Sequence, residues 1–186
     1  MQVFGQFIAT VGWLGLALVA SELGATLIHW LGQWVGFRLI GARIVRITGF
    51  RLQLSRVRGH WKLERPLTRH PHIVAAPPAD AKRFNHAIYC FGGGLFNLLT
   101  VMLSLITLNQ FKFSFDLWLF SFIIWIWVNT LKAAQLLPMN LHGYPTAGQE
   151  FRQARESTAA MTAAYVTACA AAVKVQTGSV RDLDAS

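Results

Sequence analysis

The stretch VASELGATLIHW, residues 19–30, decides how the chain is read, because it sets one acid, Glu22, inside a long apolar run. Across residues 3–37 Glu22 is the only charged side chain. Residues 84–111 carry no charge, and residues 115–139 carry only Asp116 and Lys132. Each run meets or exceeds the roughly 20 residues that cross a bilayer as a helix. Composition agrees. The 186 residues are 54% hydrophobic and only 13% charged, against about 25% charged in a soluble domain. The sequence therefore predicts an all-α membrane protein with three core transmembrane helices, at about 3–37, 84–110 and 115–139. The N-terminus lacks the basic n-region of a signal peptide and its apolar run is too long for a cleaved h-region, so it is expected to stay as the first helix.

The formal net charge of +9 is concentrated in one place. Residues 38–83 hold eleven Lys and Arg against Glu64 and Asp80, while the six basic and six acidic residues elsewhere cancel. The positive-inside rule puts such a loop in the cytoplasm. The N-terminus is then outside and the tail inside, in what is expected to be a bacterial cell membrane. A lipid bilayer with anionic headgroups is the expected partner of the basic loop, and no nucleic-acid motif accompanies the charge. Cys90 and Cys169 are isolated and make neither a disulfide framework nor a zinc knuckle; packing is their expected role.

Between the first two helices the period changes. In RLQLSRV, Leu52 and Leu54 alternate with Arg51, Gln53 and Ser55, and Gly49 and Gly59 bound the run. Alternation of period two between glycines predicts a short cytoplasmic-side β-hairpin within the loop 38–83. RHPHIVAAPPADAKR, residues 69–83, is expected to be a proline-rich loop in which His70 and His72 are solvated rather than metal-bound. The second helix contains FGGGLFNLL, whose small residues let neighbouring helices approach closely and whose Asn97 needs a polar partner. The third runs into QLLPMNLHGYPTAGQ, where Pro138, Gly143 and Pro145 interrupt the helix. Broken backbone at membrane depth survives only where protein or water satisfies it, which marks a site. The core is expected to occupy residues 1–148. Residues 149–186 are expected to form a C-terminal Ala-rich helix and tail, cytoplasmic or interfacial rather than a fourth span.

Zinc hydrolases commonly carry H-E-x-x-H on a helix, with two histidines on one face binding the metal and the glutamate as general base. Here the matching window is Ser21-Glu22-Leu23-Gly24-Ala25. The chain resembles the site-2 protease family of intramembrane zinc metalloproteases. The resemblance covers about residues 12–148: H-E-L-G-H in the first helix with its histidines replaced, a glycine-rich segment with a downstream asparagine in the second, and Leu136-Leu137-Pro138 in the third, leading to Ala147-Gly148 where the family has Asp-Gly.

The resemblance implies roles residue by residue. Glu22 stands at the general-base position. Ser21, Ala25 and Ala147 stand where the three zinc ligands would be. Gly93, Gly94 and Asn97 match the substrate-positioning segment, and the segment with Arg51, Leu52, Gln53 and Leu54 matches an edge that holds substrate extended, since an unpaired edge accepts an added strand. Zinc is the family's cofactor, and membrane-inserted peptides or signal-peptide remnants are its substrates. Catalytic zinc takes about three protein ligands, so this chain is expected neither to bind zinc tightly nor to cleave peptides. His29, four residues after Ala25, does not rebuild the site and is expected to cap or pack near the basic loop. Glu22 is expected to be neutral if desolvated without a metal; the alternative is that it pairs with Lys132 and staples the bundle. Two functions follow: a disarmed metalloprotease, which the retained Glu22 favours, or a natural pseudoprotease that binds or escorts transmembrane segments. A small transporter is disfavoured by the lack of an inverted repeat.

Overall fold

The computed structural model describes residues 2–49, 52–65, 72–110, 117–141 and 144–177. Among the described residues, five α-helices and six strands follow in the order α1 (Gln2–Leu39), β1 (Arg43–Gly49), β2 (Leu52–Val57), β3 (His60–Glu64), β4 (His72–Ala76), α2 (His86–Gln110), α3 (Leu117–Ala133), β5 (Asn140–Leu141), β6 (Tyr144–Pro145), α4 (Ala147–Ala154) and α5 (Thr158–Thr177). Among the described residues, four helical segments are long and apolar enough to cross a membrane: Phe4–Leu39, Ala81–Gln110, Leu117–Leu136 and Thr158–Thr177. The fourth was not expected to qualify. Its alanines, with Val166, Val173 and Val175, lift the mean hydropathy of its best window to 1.3, below the 1.5 to 1.8 of the other three. The third helix ends earlier than expected, at Ala133, and closes in a 3-10 turn at Ala134–Leu136. Pro138 explains the stop, because a proline disfavours helical geometry in the residue before it and cannot donate to the ladder.

The chain divides into two units, residues 1–32 with 93–136 and residues 33–92 with 137–186. In the first, segments of α1, α2 and α3 turn large apolar side chains outward. Phe4, Leu16, Leu99, Ile106, Trp118 and Trp127 are all exposed on the protein surface, while Ser21, Thr26, Asn97, Ser104 and Asn129 are buried. Trp125 ties the three segments together. Its indole Nε1 donates to Ser104 Oγ on α2 at 3.1 Å, and its ring lies against Gly24 on α1, where an added Cβ would come within 2.6 Å. Trp13 similarly donates to Ser121 Oγ on α3 at 2.9 Å and meets Trp118 edge to face at 5.3 Å.

The second unit is built around a four-stranded antiparallel sheet in the order β3-β2-β1-β4, larger than the expected hairpin. β4 was hidden by its prolines: HIVAA lies in a stretch expected to be loop, yet it pairs antiparallel with β1, with Ile47 opposite Ile73. The β2–β3 turn places Arg58 at φ 48° and Gly59 at φ 88°, as a two-residue type I′ hairpin requires. α1 enters this unit through a Schellman ending. Gly41 at φ 74° donates to Arg38 O at 3.2 Å and Ala42 donates to Phe37 O at 2.8 Å, and the accompanying apolar contact of Phe37 with Ala42 seeds a core with Ile40 and Ala75. A second core cluster joins Val45 of β1 to Ala172 and Val175 of α5. Helix α5 is further held by Arg58 N donating to Gln176 O at 3.1 Å and Tyr165 Oη donating to Pro78 O at 2.9 Å. Helix α2 starts here, capped by Asn85, whose Oδ1 accepts from Ile88 N at 3.2 Å.

Candidate functional site

The residues of the SELGA window diverge by one helical step. Ser21 and Ala25, four apart, share the inward face of α1 and are 5% and 0% exposed. Glu22 is rotated away from that face, and its Oε1 accepts a hydrogen bond from Lys132 Nζ of α3 in an ion pair. The acid expected to be neutral without a metal thus has a cation as its partner, the alternative the sequence left open. Lys132 is 21% exposed and Glu22 51% exposed.

Gly93 and Gly94 have separate steric reasons. A Cβ on Gly93 would meet the His29 ring at 2.5 Å, and one on Gly94 would meet the Leu136 side chain at 2.7 Å. The first glycine therefore makes the seat for an imidazole and the second the seat for a leucine. His29 does not cap the helix end near the basic loop; it packs into α2. There its Nδ1 lies 3.3 Å from the amide Nδ2 of Asn97. With Nδ2 donating, the imidazole accepts at Nδ1 and carries its proton on Nε2. Asn97 is fully buried, and its Oδ1 has no hydrogen-bond partner among the described residues. Asn129 of α3 repeats the pattern. It is fully buried, Nδ2 donates to Trp125 O at 2.9 Å, and Oδ1 is likewise unpartnered. Two buried amide oxygens without donors are costly at about 1–3 kcal/mol each. Ser21 borders a groove of about 290 Å³ with Trp13, Leu16, Ala20 and Trp118.

Ala147 belongs to the second unit. It is the first residue of α4, behind the N-cap Thr146, whose Oγ1 accepts from Gln149 N at 3.4 Å. The same hydroxyl donates to Leu137 O at 2.5 Å, closing the loop that carries Pro138. β2 is not an edge. Leu54 pairs with Ile47 of β1 on one side and Leu63 of β3 on the other, and Gln53 pairs with Thr48 and Glu64. Gln53 is buried and donates to Ser55 Oγ at 3.1 Å and to Glu64 Oε2 at 3.3 Å. The expectation of a free edge is therefore corrected at Gln53 and Leu54, where both sides of the ladder are occupied; Leu52 pairs with Gly49 on its β1 side, and among the described residues the sheet ends at β3 and β4. Arg51, like His70, lies outside the described residues. On β3, Trp61 and Leu63 are exposed.

Among the described residues no three His, Cys, Asp or Glu side chains gather into a group that could hold a metal ion. Ser21 brings one hydroxyl, and Ala25 and Ala147 bring no donor, so this set does not fit a catalytic zinc. Sequence reasoning missed the union of His29 with Asn97 and the keystone role of Trp125. The signal for the first was present, since His29 lies seven residues after Glu22 and Asn97 needed a partner. Compared with known family models, curated proteins and solved structures, the chain has no match.

Proposed function

We propose that this chain is a membrane-embedded scaffold of the site-2 protease kind that holds membrane-inserted peptides without hydrolysing them. The Glu22–Lys132 pair carries the reading. A general base must be free to take a proton, and a carboxylate engaged by an ammonium is committed to that partner instead. The pair bears on hydrolysis alone, and it is compatible with both a natural pseudoprotease, a binder or escort of transmembrane segments, and a protease disarmed by substitution. In either version α1, α2 and α3 cross the bilayer, loop 38–83 is cytoplasmic, and α5 stays with the sheet as an interfacial helix.

Peptide is held by strand addition. The outer side of β3, with Trp61 and Leu63 beside it, takes over the strand-addition role expected of Leu52–Leu54. A photo-reactive residue in place of Leu63 tests this with a co-expressed single-span membrane peptide. Cross-linking to full-length peptide, with no fragments, is the expected result. Accumulating fragments, or no cross-link above that from the same probe at Ala160, would overturn it.

A further inference from the structure

At the end of α1, a cavity of about 570 Å³ is lined by Arg38, Arg43 and Arg56 together with Trp34, Phe37 and Trp61. Three arginines line one cavity, and among the described residues no carboxylate does. Among the described residues none of the three arginines forms an ion pair; the pairs are Lys62–Glu64, Arg83–Asp80 and Lys132–Glu22. Like charges gathered around a concavity repel one another and are stabilised by an anion that enters it. Arginine in particular presents a planar fork that matches phosphate oxygens.

The apolar half of the lining says what else the ligand carries. Trp34 and Arg38 are four apart on α1, and the Arg38 guanidinium lies over the Trp34 ring at 5.4 Å. Trp61 is 48% exposed and Trp34 44% exposed. Indoles beside arginines at the end of an apolar helix are the arrangement found at the level of lipid headgroups, where one part of the side chain is wet and the other dry. The Schellman ending at Gly41 turns the chain sharply from α1 into β1, so Arg38 before the turn and Arg43 after it line the same cavity. Arg56 arrives from β2 and is steadied by Nε donating to Gly59 O at 3.4 Å.

We propose that this cavity is a binding site for the phosphate of an anionic phospholipid, with the arginines on the phosphate and Trp34 and Trp61 against the glycerol and upper acyl chain. The proposal rests on α1 crossing the bilayer but not on any likeness to a protease. It is distinct from a diffuse attraction of the basic loop to the membrane, because it assigns the affinity to three of that loop's arginines.

The test is native mass spectrometry of the full chain in detergent, titrated with phosphatidylglycerol and, separately, with phosphatidylcholine. The R38Q/R43Q/R56Q variant is set against R152Q/R155Q/K174Q, which removes the same charge from α4, its C-cap and α5. The expected result is saturable binding of phosphatidylglycerol by the wild type. The cavity variant loses it at least tenfold, the control stays within twofold, and excess inorganic phosphate does not displace the lipid. Equal losses in the two variants would reduce the effect to net charge and overturn the proposal. Displacement by inorganic phosphate alone would overturn the lipid assignment, and equal binding of phosphatidylcholine would overturn the role of the arginines. Because the triple variant can fail to fold, R56Q alone, at an exposed strand position, must also weaken binding several-fold.

Discussion

The two units of this chain bury different mixtures of residue. In the second, large apolar side chains such as Phe37, Ile40 and Val45 are inside, together with Thr48, Gln53 and Ser55, while Arg43 and Arg56 are outside; apolar burial of that kind is what water enforces. In the first, serines, threonines and asparagines are inside and leucines, phenylalanines and tryptophans are outside. Such a unit has no hydrophobic reason to close in water. It suits a solvent as apolar as leucine, where helices associate through small residues, close packing and hydrogen bonds. On the membrane reading proposed above, one sequence is written for two solvents, and the same substitution should have opposite consequences in the two regions.

The largest effect is expected at Phe37, which is 2% exposed. Phe37→Ala should cost about 3–5 kcal/mol, measured as unfolding of the sheet unit by intrinsic fluorescence in lipid nanodiscs. The comparison breaks if Leu99→Ala, on the exposed side of α2, costs as much. Leu99→Arg probes the other solvent. A guanidinium facing lipid near a helix centre should cost about 2.5–3.5 kcal/mol, whereas an arginine facing water usually changes stability by less than about 0.5 kcal/mol. A near-neutral Leu99→Arg would put the first unit in water.

Packing in the first unit should be unforgiving at its glycines. Gly93→Ala forces a methyl into the His29 ring and should cost about 1–3 kcal/mol through overpacking. His29→Ala should relieve that cost, so a double-mutant cycle is expected to show coupling; additive losses would contradict the seat. The smallest effect belongs to the sheet. Arg58 holds a left-handed backbone at φ 48°, and Arg58→Asn should stabilise the hairpin by about 0.5–1 kcal/mol. That gain would appear as a raised midpoint in thermal unfolding.

The helices were legible because long apolar runs have few other uses, and a hairpin around β2 was legible from alternation and glycine, but not the number of its strands. β4 was not, since five residues between prolines carry no clear period until β1 pairs with them. The edge reading of β2 failed for a related reason: alternation identifies a strand but not the number of its neighbours. At the site, the SELGA window drew attention to Glu22. It did not reveal whether Lys132, 110 residues away, or the backbone would answer the acid, because partner choice is a property of helix packing. The seat of His29 on Gly93 was hidden for the same reason.

The central proposal is that Ser21, Ala25 and Ala147, with Glu22 paired to Lys132, leave a scaffold that holds membrane peptides without zinc and without hydrolysing them. The most direct measurement is the zinc content of two purified proteins, the wild type and S21H/A25H/A147D carrying Lys132→Met to release Glu22. The account predicts no stoichiometric zinc in the wild type and about one zinc per chain, with cleavage of a co-expressed membrane peptide, in the restored protein. A folded restored protein that binds no zinc would contradict the resemblance on which the claim rests. Zinc or peptide cleavage in the wild type would contradict the claim itself.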